Sequence, residues 1–374
     1  QRTVAWHGRD ASQEETYFDG LGRAIQVQVA AGDGREVHTT TSYDALGRVA
    51  WAWLPVEAAA QVGYVAPTGD LYDEMTYDAL GRVMRVDHAD GTFARHFYAG
   101  WTKMVVDENG HQTRYTSDPF GRLTQVDEFE GKHPMATPYA VTGYSYDTLD
   151  NLLQVTDAAG HVTTMAYDPL GRKVWMDDPS MGEWAYSYDA LGNLTRQTDA
   201  EGQTLVFEYD ALNRLTHKYA LLPTSYALLA EYGYDEGPWG IGRRTAMTDA
   251  AGVTTWQYDA RGQIVSETRT FDDGLGAYTS RWAYDAAGRV VTATYPTGEA
   301  VHTAYDPRGL PTSVTGLDTY LTDATYNAAG QPLRQTWGNT RQTEYAYELD
   351  TLRLQHLQVS GGLLDLGYSY DDVG

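Results

Sequence analysis

Tyr43-Asp44-Ala45-Leu46-Gly47-Arg48 and Tyr77-Asp78-Ala79-Leu80-Gly81-Arg82 are the same six residues, YDALGR. Close variants follow along the chain. Tyr167-Asp168-Pro169-Leu170-Gly171-Arg172, Tyr188-Asp189-Ala190-Leu191-Gly192-Asn193 and Tyr284-Asp285-Ala286-Ala287-Gly288-Arg289 keep the frame Y-D-x-x-G-R almost intact. Counting weaker copies, such blocks start at 18, 43, 77, 117, 146, 167, 188, 209, 234, 258, 284, 305, 326, 347 and 370. Six of the fourteen spacings equal 21 residues, so one unit recurs with a fixed length.

A second block sits mid-period. Asp107-Glu108-Asn109-Gly110, Asp157-Ala158-Ala159-Gly160, Asp199-Ala200-Glu201-Gly202 and Asp249-Ala250-Ala251-Gly252 share D-x-x-G. Asp at the first turn position can bind backbone N–H groups downstream of it, and Gly at the fourth accepts positive φ. Each block therefore predicts a type I turn with a glycine bulge, which closes a hairpin. Two such turns in 21 residues leave room for two strands of about six residues, the common strand length. The segments between them, such as Lys173-Val174-Trp175-Met176 and Thr204-Leu205-Val206-Phe207, suit strands, and no long helical period competes. The fold class expected is all-β: one continuous antiparallel hairpin ribbon over 1–374, growing by a hairpin per repeat. Insertions near 53–72, 128–143 and 219–242 lengthen particular hairpins. Short helices are expected only at 56–62 and 226–231.

Composition follows from this unit. The 374 residues include 29 Tyr, 38 Gly and no Cys. The 27 Lys and Arg stand against 51 Asp and Glu, a net charge of −24. Such a surface repels phosphate backbones and anionic lipid, so no nucleic-acid partner is expected. No run of 18 apolar residues exists, and no membrane insertion is expected. Without Cys there are no disulfides, thiolate metal sites or Cys nucleophiles. The start at Gln1 without a signal peptide predicts that the chain is internal to something longer.

Within the unit, the residues that recur in register are expected to be structural: Tyr43, Asp44, Gly47 and Arg48; Tyr77, Asp78, Gly81 and Arg82; Tyr167, Asp168, Gly171 and Arg172; Tyr188, Asp189 and Gly192; Tyr284, Asp285, Gly288 and Arg289. Tyr is expected to stack on the Tyr of the previous repeat. Arg is expected to bridge to the Asp of its own or a neighbouring turn, or to lie flat on a Tyr ring. No catalytic residue, metal site or cofactor is expected. None of the ten His forms an H-E-x-x-H pair, and His111 and His161 simply follow a turn Gly. The acidic turns Asp87-His88-Ala89-Asp90-Gly91 and Asp272-Asp273-Gly274 lack the ligand series of a Ca²⁺ loop. G-x-S-x-G and phosphate-loop motifs are absent, and Gly237-Pro238-Trp239-Gly240-Ile241-Gly242 reads as a widened turn.

The Y-D-x-x-G-R unit resembles the YD repeats of the Rhs (rearrangement hotspot) family. The same repeat occurs in wall-associated bacterial proteins, in the B and C components of insecticidal toxin complexes and in teneurins. The resemblance implies a ribbon that curves into part of a hollow spiral shell. In bacterial relatives it implies a shell enclosing a C-terminal toxin for export and delivery to a target cell. The partners implied are the rest of the parent chain and its enclosed toxin domain, and the location implied is secreted or cell-surface. The core-ending DPxGxxGG block of bacterial shells is absent; Asp306-Pro307-Arg308-Gly309 begins like it and continues as an ordinary repeat. An alternative reading is a carbohydrate- or cell-wall-binding or cell-adhesion repeat module, but the 10 Trp keep no fixed phase in the repeat, as choline-type sugar binders would require. Unpaired strands at the ribbon's ends also predict end-to-end self-association.

Overall fold

Hairpins follow one another along the chain in a computed structural model. It describes residues 2–6, 13–132, 134, 137–272, 274 and 276–374. Residues 133, 135 and 136 of the 128–143 insertion, and Asp273, lie outside the described residues. Among the described residues there are 33 strands and no helix. Contacts divide the chain into two compact units. One comprises Gln1–His96, Val106–Gly110 and Arg281–Gly374; the other comprises Phe97–Val105 and His111–Ser280.

The second unit shows the repeat at its most regular. Strands Val162–Tyr167, Lys173–Asp178, Gly182–Tyr188, Leu194–Thr198 and Thr204–Tyr209 each pair antiparallel with the next. The register slips by one residue at each repeat Tyr: Ala166 faces Trp175, but Tyr167 faces Lys173. The same slip places Tyr188 opposite Leu194 and Tyr209 opposite Leu215. This is the bulge that a turn Gly in positive φ creates. Gly171 has φ +77° and Gly192 has φ +93°. Where the repeat lacks Gly, the conformation persists: Asp150 has φ +68° and Asn213 has φ +62°. Asp and Asn tolerate that region better than other side chains.

The first unit departs from the plain pattern near its N-terminus. Strands Ala24–Gly32 and Arg35–Tyr43 have nine residues each. Arg35–Tyr43 is shared on its far edge: Arg35–His38 pairs with Val56–Ala59, and Thr41–Tyr43 pairs with Val49–Ala52. The 53–72 insertion therefore folds back as a short strand, then crosses the sheet face over 60–71. Two buried glutamines hold this strap. Gln26 Nε2 donates to Val65 O (2.7 Å) and to Thr40 Oγ1 (2.8 Å), while Val65 N donates to Gln26 Oε1 (3.0 Å). Gln28 Nε2 donates to Gly63 O (3.0 Å), and Gly63 N donates to the Tyr17 hydroxyl (3.1 Å). An amide is suited to this work because it offers both donor and acceptor to a backbone that would otherwise be buried unpaired.

Both segments expected to be helical are strands, Val56–Ala59 and Tyr226–Tyr234. Each finds a partner edge, Arg35–His38 and His217–Leu221 respectively, and ladder bonds outweigh the weak helical tendency of their Ala and Leu. The 219–242 insertion is thus a longer hairpin followed by a widened turn at 235–243.

Apolar burial is thin. Among the described residues, the buried hydrophobic ones are Tyr17, Val37, Val106, Phe129, Ala230, Leu321 and Ala324, and buried polar side chains such as Gln26, Gln112 and Asp127 outnumber them. Stability in such a sheet leans on the ladder and on the turns. Gly47→Val and Gly171→Val force a β-branched residue into positive φ, at a cost of roughly 1–2 kcal/mol or more. Thermal melts of both variants should show a lower midpoint. Melts superimposable on wild type would refute the turn geometry as a source of stability.

Candidate functional site

Asp44 organises its own turn. Its Oδ1 accepts from Leu46 N (2.8 Å) and Arg48 N (3.0 Å), and its Oδ2 accepts from Arg48 Nε (2.7 Å). The backbone closes around it, with Gly47 N donating to Asp44 O (3.0 Å) and Asp44 N to Arg48 O (2.8 Å). Asp78 with Arg82 and Asp168 with Arg172 repeat this arrangement. Asp285 receives Arg289 N (2.9 Å) and Arg289 Nε (2.6 Å). Asp189 receives Leu191 N, Asn193 N and the Asn193 amide, so Asn stands in for Arg.

Arg also reaches forward to the neighbouring turn and its Tyr ring, as its place after Gly predicts, but it meets the carbonyl of the next Asp. Arg48 Nη1 donates to Asp78 O of the following repeat (3.2 Å), and its guanidinium lies 4.4 Å from the centre of the Tyr77 ring. The Tyr77 hydroxyl returns the link, donating to Val49 O (2.7 Å). Arg172 likewise donates to Asp189 O (2.7 Å) and covers Tyr188, whose hydroxyl donates to Lys173 O (2.9 Å). Arg289 covers Tyr305, whose hydroxyl donates to Val290 O (2.8 Å). The expected Tyr-on-Tyr stacking is thus replaced at these positions by Arg over Tyr. Tyr209, Tyr234, Tyr258, Tyr326 and Tyr370 each donate to the equivalent carbonyl. Tyr167 instead directs its hydroxyl toward Met165 Sδ (3.7 Å).

One repeat moves its Arg and keeps the contacts. In Tyr305-Asp306-Pro307-Arg308-Gly309-Leu310, Arg308 precedes the Gly. Its Nε still donates to Asp306 Oδ2 (2.9 Å), and its Nη1 to Asn327 O of the next repeat (2.8 Å). The mid-period turns use the same capping. Asp157 Oδ1 accepts from Ala159 N and His161 N, and His161 Nδ1 lies 2.9 Å from Asp157 Oδ2. His161 is therefore a turn partner in the place that Arg holds elsewhere.

These donors shift acidities. Asp44 is held below the ordinary carboxylate value chiefly by the Arg48 backbone N–H, and Asp168 chiefly by the Arg172 side chain. Asp189 is lowered first by the Asn193 amide. Arg214 is held above the ordinary guanidinium value by Asp235 first and Asp210 second.

The arrangement links hairpins. Among the described residues no cluster of three or more His, Asp or Glu could hold a metal ion. The best-defined polar cluster outside the ladder lies in the first unit, where His88 Nε2 is 3.0 Å from Glu108 Oε1 and His88 Nδ1 is 3.3 Å from Asp73 Oδ1. An open depression of about 410 Å³ in the second unit is lined by His111, Gln112, Glu128 and Tyr139 among others. No helix among the described residues is long and apolar enough to cross a membrane.

Two outcomes are expected from this geometry. Tyr77→Phe keeps the ring under Arg48 and removes the hydroxyl's bond to Val49 O and its weak contact with Met75 Sδ (3.8 Å), costing roughly 0.5–1.5 kcal/mol. Arg48→Lys should lower the melting midpoint more than Tyr77→Phe does, because an ammonium cannot serve two carboxylate and carbonyl partners as a planar fork. A neutral result for both would show that the link adds nothing to the ladder. The lowered turn Asp values fix the sign with pH: their contribution is complete above the unfolded-state value and is lost as pH falls through the folded ones. Melting midpoints should hold down to about pH 5 and fall steeply below about pH 4. A midpoint that rises or stays level on acidification contradicts this.

A family model described as RHS Repeat matches residues 141–180, 188–221, 239–274 and 284–320. A second model, a domain of unknown function designated DUF6443, matches residues 2–69, which include Gln26, Gln28 and most of the strap. No curated protein matches in sequence. Among solved structures, the crystal structure of TcdB2-TccC3-Cdc42 matches with a TM-score of 0.86 at 21% identity, over 100% of this chain and 22% of that one. TcdB2-TccC3 without its hypervariable C-terminal region matches with a TM-score of 0.87 at 22% identity, over 97% of this chain and 21% of that one. The Photorhabdus luminescens Tc holotoxin pore matches with a TM-score of 0.86 at 22% identity, over 100% and 22%. The chain spans about a fifth of the length of these structures. The chain carries RHS repeats over those four stretches, and it has the fold of the region of TcdB2-TccC3 that it matches.

Proposed function

We propose that the chain is a wall segment of an Rhs-type β-shell, which encloses a C-terminal toxin or effector polypeptide for export and delivery to a target cell. The observation that carries this reading is the link from each hairpin to the next: Arg to the following Asp carbonyl and Tyr ring, Tyr hydroxyl back to the preceding strand. A residue set that is spent on its own neighbours builds a surface of indefinite length and leaves no group poised for turnover. The chain accordingly acts without catalysis and needs no cofactor. Its partners are the remainder of the parent chain and the enclosed polypeptide, and its place of action is outside the producing cell. The fold likeness to parts of toxin complexes supports this reading.

The test is protection of a payload. In a longer chain that carries these repeats and a C-terminal effector domain, the effector should resist added protease until the wall is opened by acid or denaturant. Electron microscopy should show density inside a hollow wall. A payload digested as fast in the intact protein as when free, or a straight rod without a cavity, would overturn the proposal.

A further inference from the structure

The sheet face beneath the strap at 60–71 is polar. Strands Gln13–Phe18, Ala24–Gly32 and Arg35–Tyr43 lie side by side. Their register sets Glu15 opposite Gln28 and Gln28 opposite His38, with Tyr17 opposite Gln26 and Gln26 opposite Thr40. Facing residues share a face and residues two apart return to it, so the six side chains form two rows of three. All six are at least nine-tenths buried. A face that gripped its cover through side chains would be apolar. This one is bonded within itself: the Tyr17 hydroxyl donates to Glu15 Oε2 (2.7 Å), Gln28 Nε2 to Gln26 Oε1 (2.7 Å) and Gln26 Nε2 to Thr40 Oγ1 (2.8 Å).

What the face offers upward reads main chain. Both the N–H and the C=O of Gly63 and of Val65 end on it. Val62 and Tyr64, the alternate residues, are exposed. Main-chain bonds at every second residue, with the residues between facing solvent, are the geometry of an extended peptide in a recognition groove. Gly63 has φ +111°, which favours Gly although the space around it is open. The strap fills this groove incompletely. A cavity of about 60 Å³ remains beneath Val65 and Pro67, walled by Gln26, His38, Thr40 and Trp53 among others. Gln28 is 1% exposed, and its Oε1 has no partner among the described residues. Its amide is turned to the strap, with Nε2 spent on Gln26 and on Gly63 O, so a buried acceptor beside the strap lacks a donor.

We infer that this polar face is a binding groove for an extended segment of another polypeptide, of the pattern Gly-x-Val-x-Pro, and that residues 62–67 occupy it as the chain's own pseudo-ligand. The groove is read through the main chain, and the positive φ fixes the Gly. A tethered strap acts at an effective concentration on the order of millimolar, so a segment in trans gains access when the strap lifts. Occupancy of the groove does not depend on whether the wall encloses anything.

The experiment uses the whole chain and a fluorescently labelled peptide of residues 61–69, followed by anisotropy. In the variant Gly63→Pro, Val65→Pro, proline removes both N–H donors and cannot take φ +111°, so the strap loses the groove. This variant should bind the peptide at least about tenfold more tightly than wild type, whose own strap competes. A peptide N-methylated at Val65 lacks the donor to Gln26 Oε1 and should bind at least about tenfold more weakly than the unmodified one. If melting shows the double variant unfolded, Gly63→Val decides by the same comparison with wild type, because it keeps both N–H groups and strains only the strap. Equal affinity of wild type and variant, a folded variant that does not bind, or an N-methylated peptide that binds as well as the unmodified one would each overturn the inference.

Discussion

A carboxylate bonded to the N–H groups of its own turn is the contact on which the rest depends. Asp44 receives two backbone donors and the Arg48 guanidinium; Asp78 and Asp168 do the same, and Asp189 takes an Asn amide in place of the guanidinium. With the carboxylate in place, Gly takes positive φ and the register slips by one residue. The slip sets Tyr opposite the residue after Arg and brings its hydroxyl to that residue's carbonyl in the hairpin before it. Local turn chemistry and the joint between repeats are therefore one device. This also accounts for much of the charge: a chain that caps most of its turns with Asp becomes acidic whatever its partners are.

The ladder explains how a sheet with so few buried apolar side chains holds together. Each unit of the ladder is a charge-assisted set of bonds half-open to solvent, so single pairs are modest. Repetition makes the sum large, and each repeat is supported on both sides. The exception is the strap at 60–71, where Gln26 and Gln28 are almost wholly buried and satisfy a crossing backbone. There the sheet face is covered by polypeptide and stability rests on buried amides.

The sequence made the fold readable because turn chemistry is local. Asp, Gly and their spacing determine a hairpin without reference to anything distant, and the 21-residue period turns one hairpin into a ribbon. What stayed hidden depends on neighbours. That Arg meets the backbone carbonyl of the next turn, while keeping its own Asp, requires knowing where that turn lies. Arg308 shows that the role attaches to a place in space, since it acts from two positions earlier in the motif. The strands at 56–59 and 226–234 were ambiguous because a partner edge, and no propensity of their own, decides them. The strap glutamines carried no sequence signal, as isolated Gln in a strand looks like a surface residue.

Pairing between successive hairpins has a consequence for how such a chain acquires its shape. Nearly every joint closes a loop of a few tens of residues, so the entropy lost at each step is small and similar. Folding can then advance as winding: a finished hairpin presents the edge, the carbonyl and the Tyr ring that the next one needs. Only contacts such as that of Asn109 with Asp372 must wait for distant sequence. A chain without cysteine that winds in this way can be unwound for passage through a narrow opening and rewound from either end, with no crosslink to break and none to misplace.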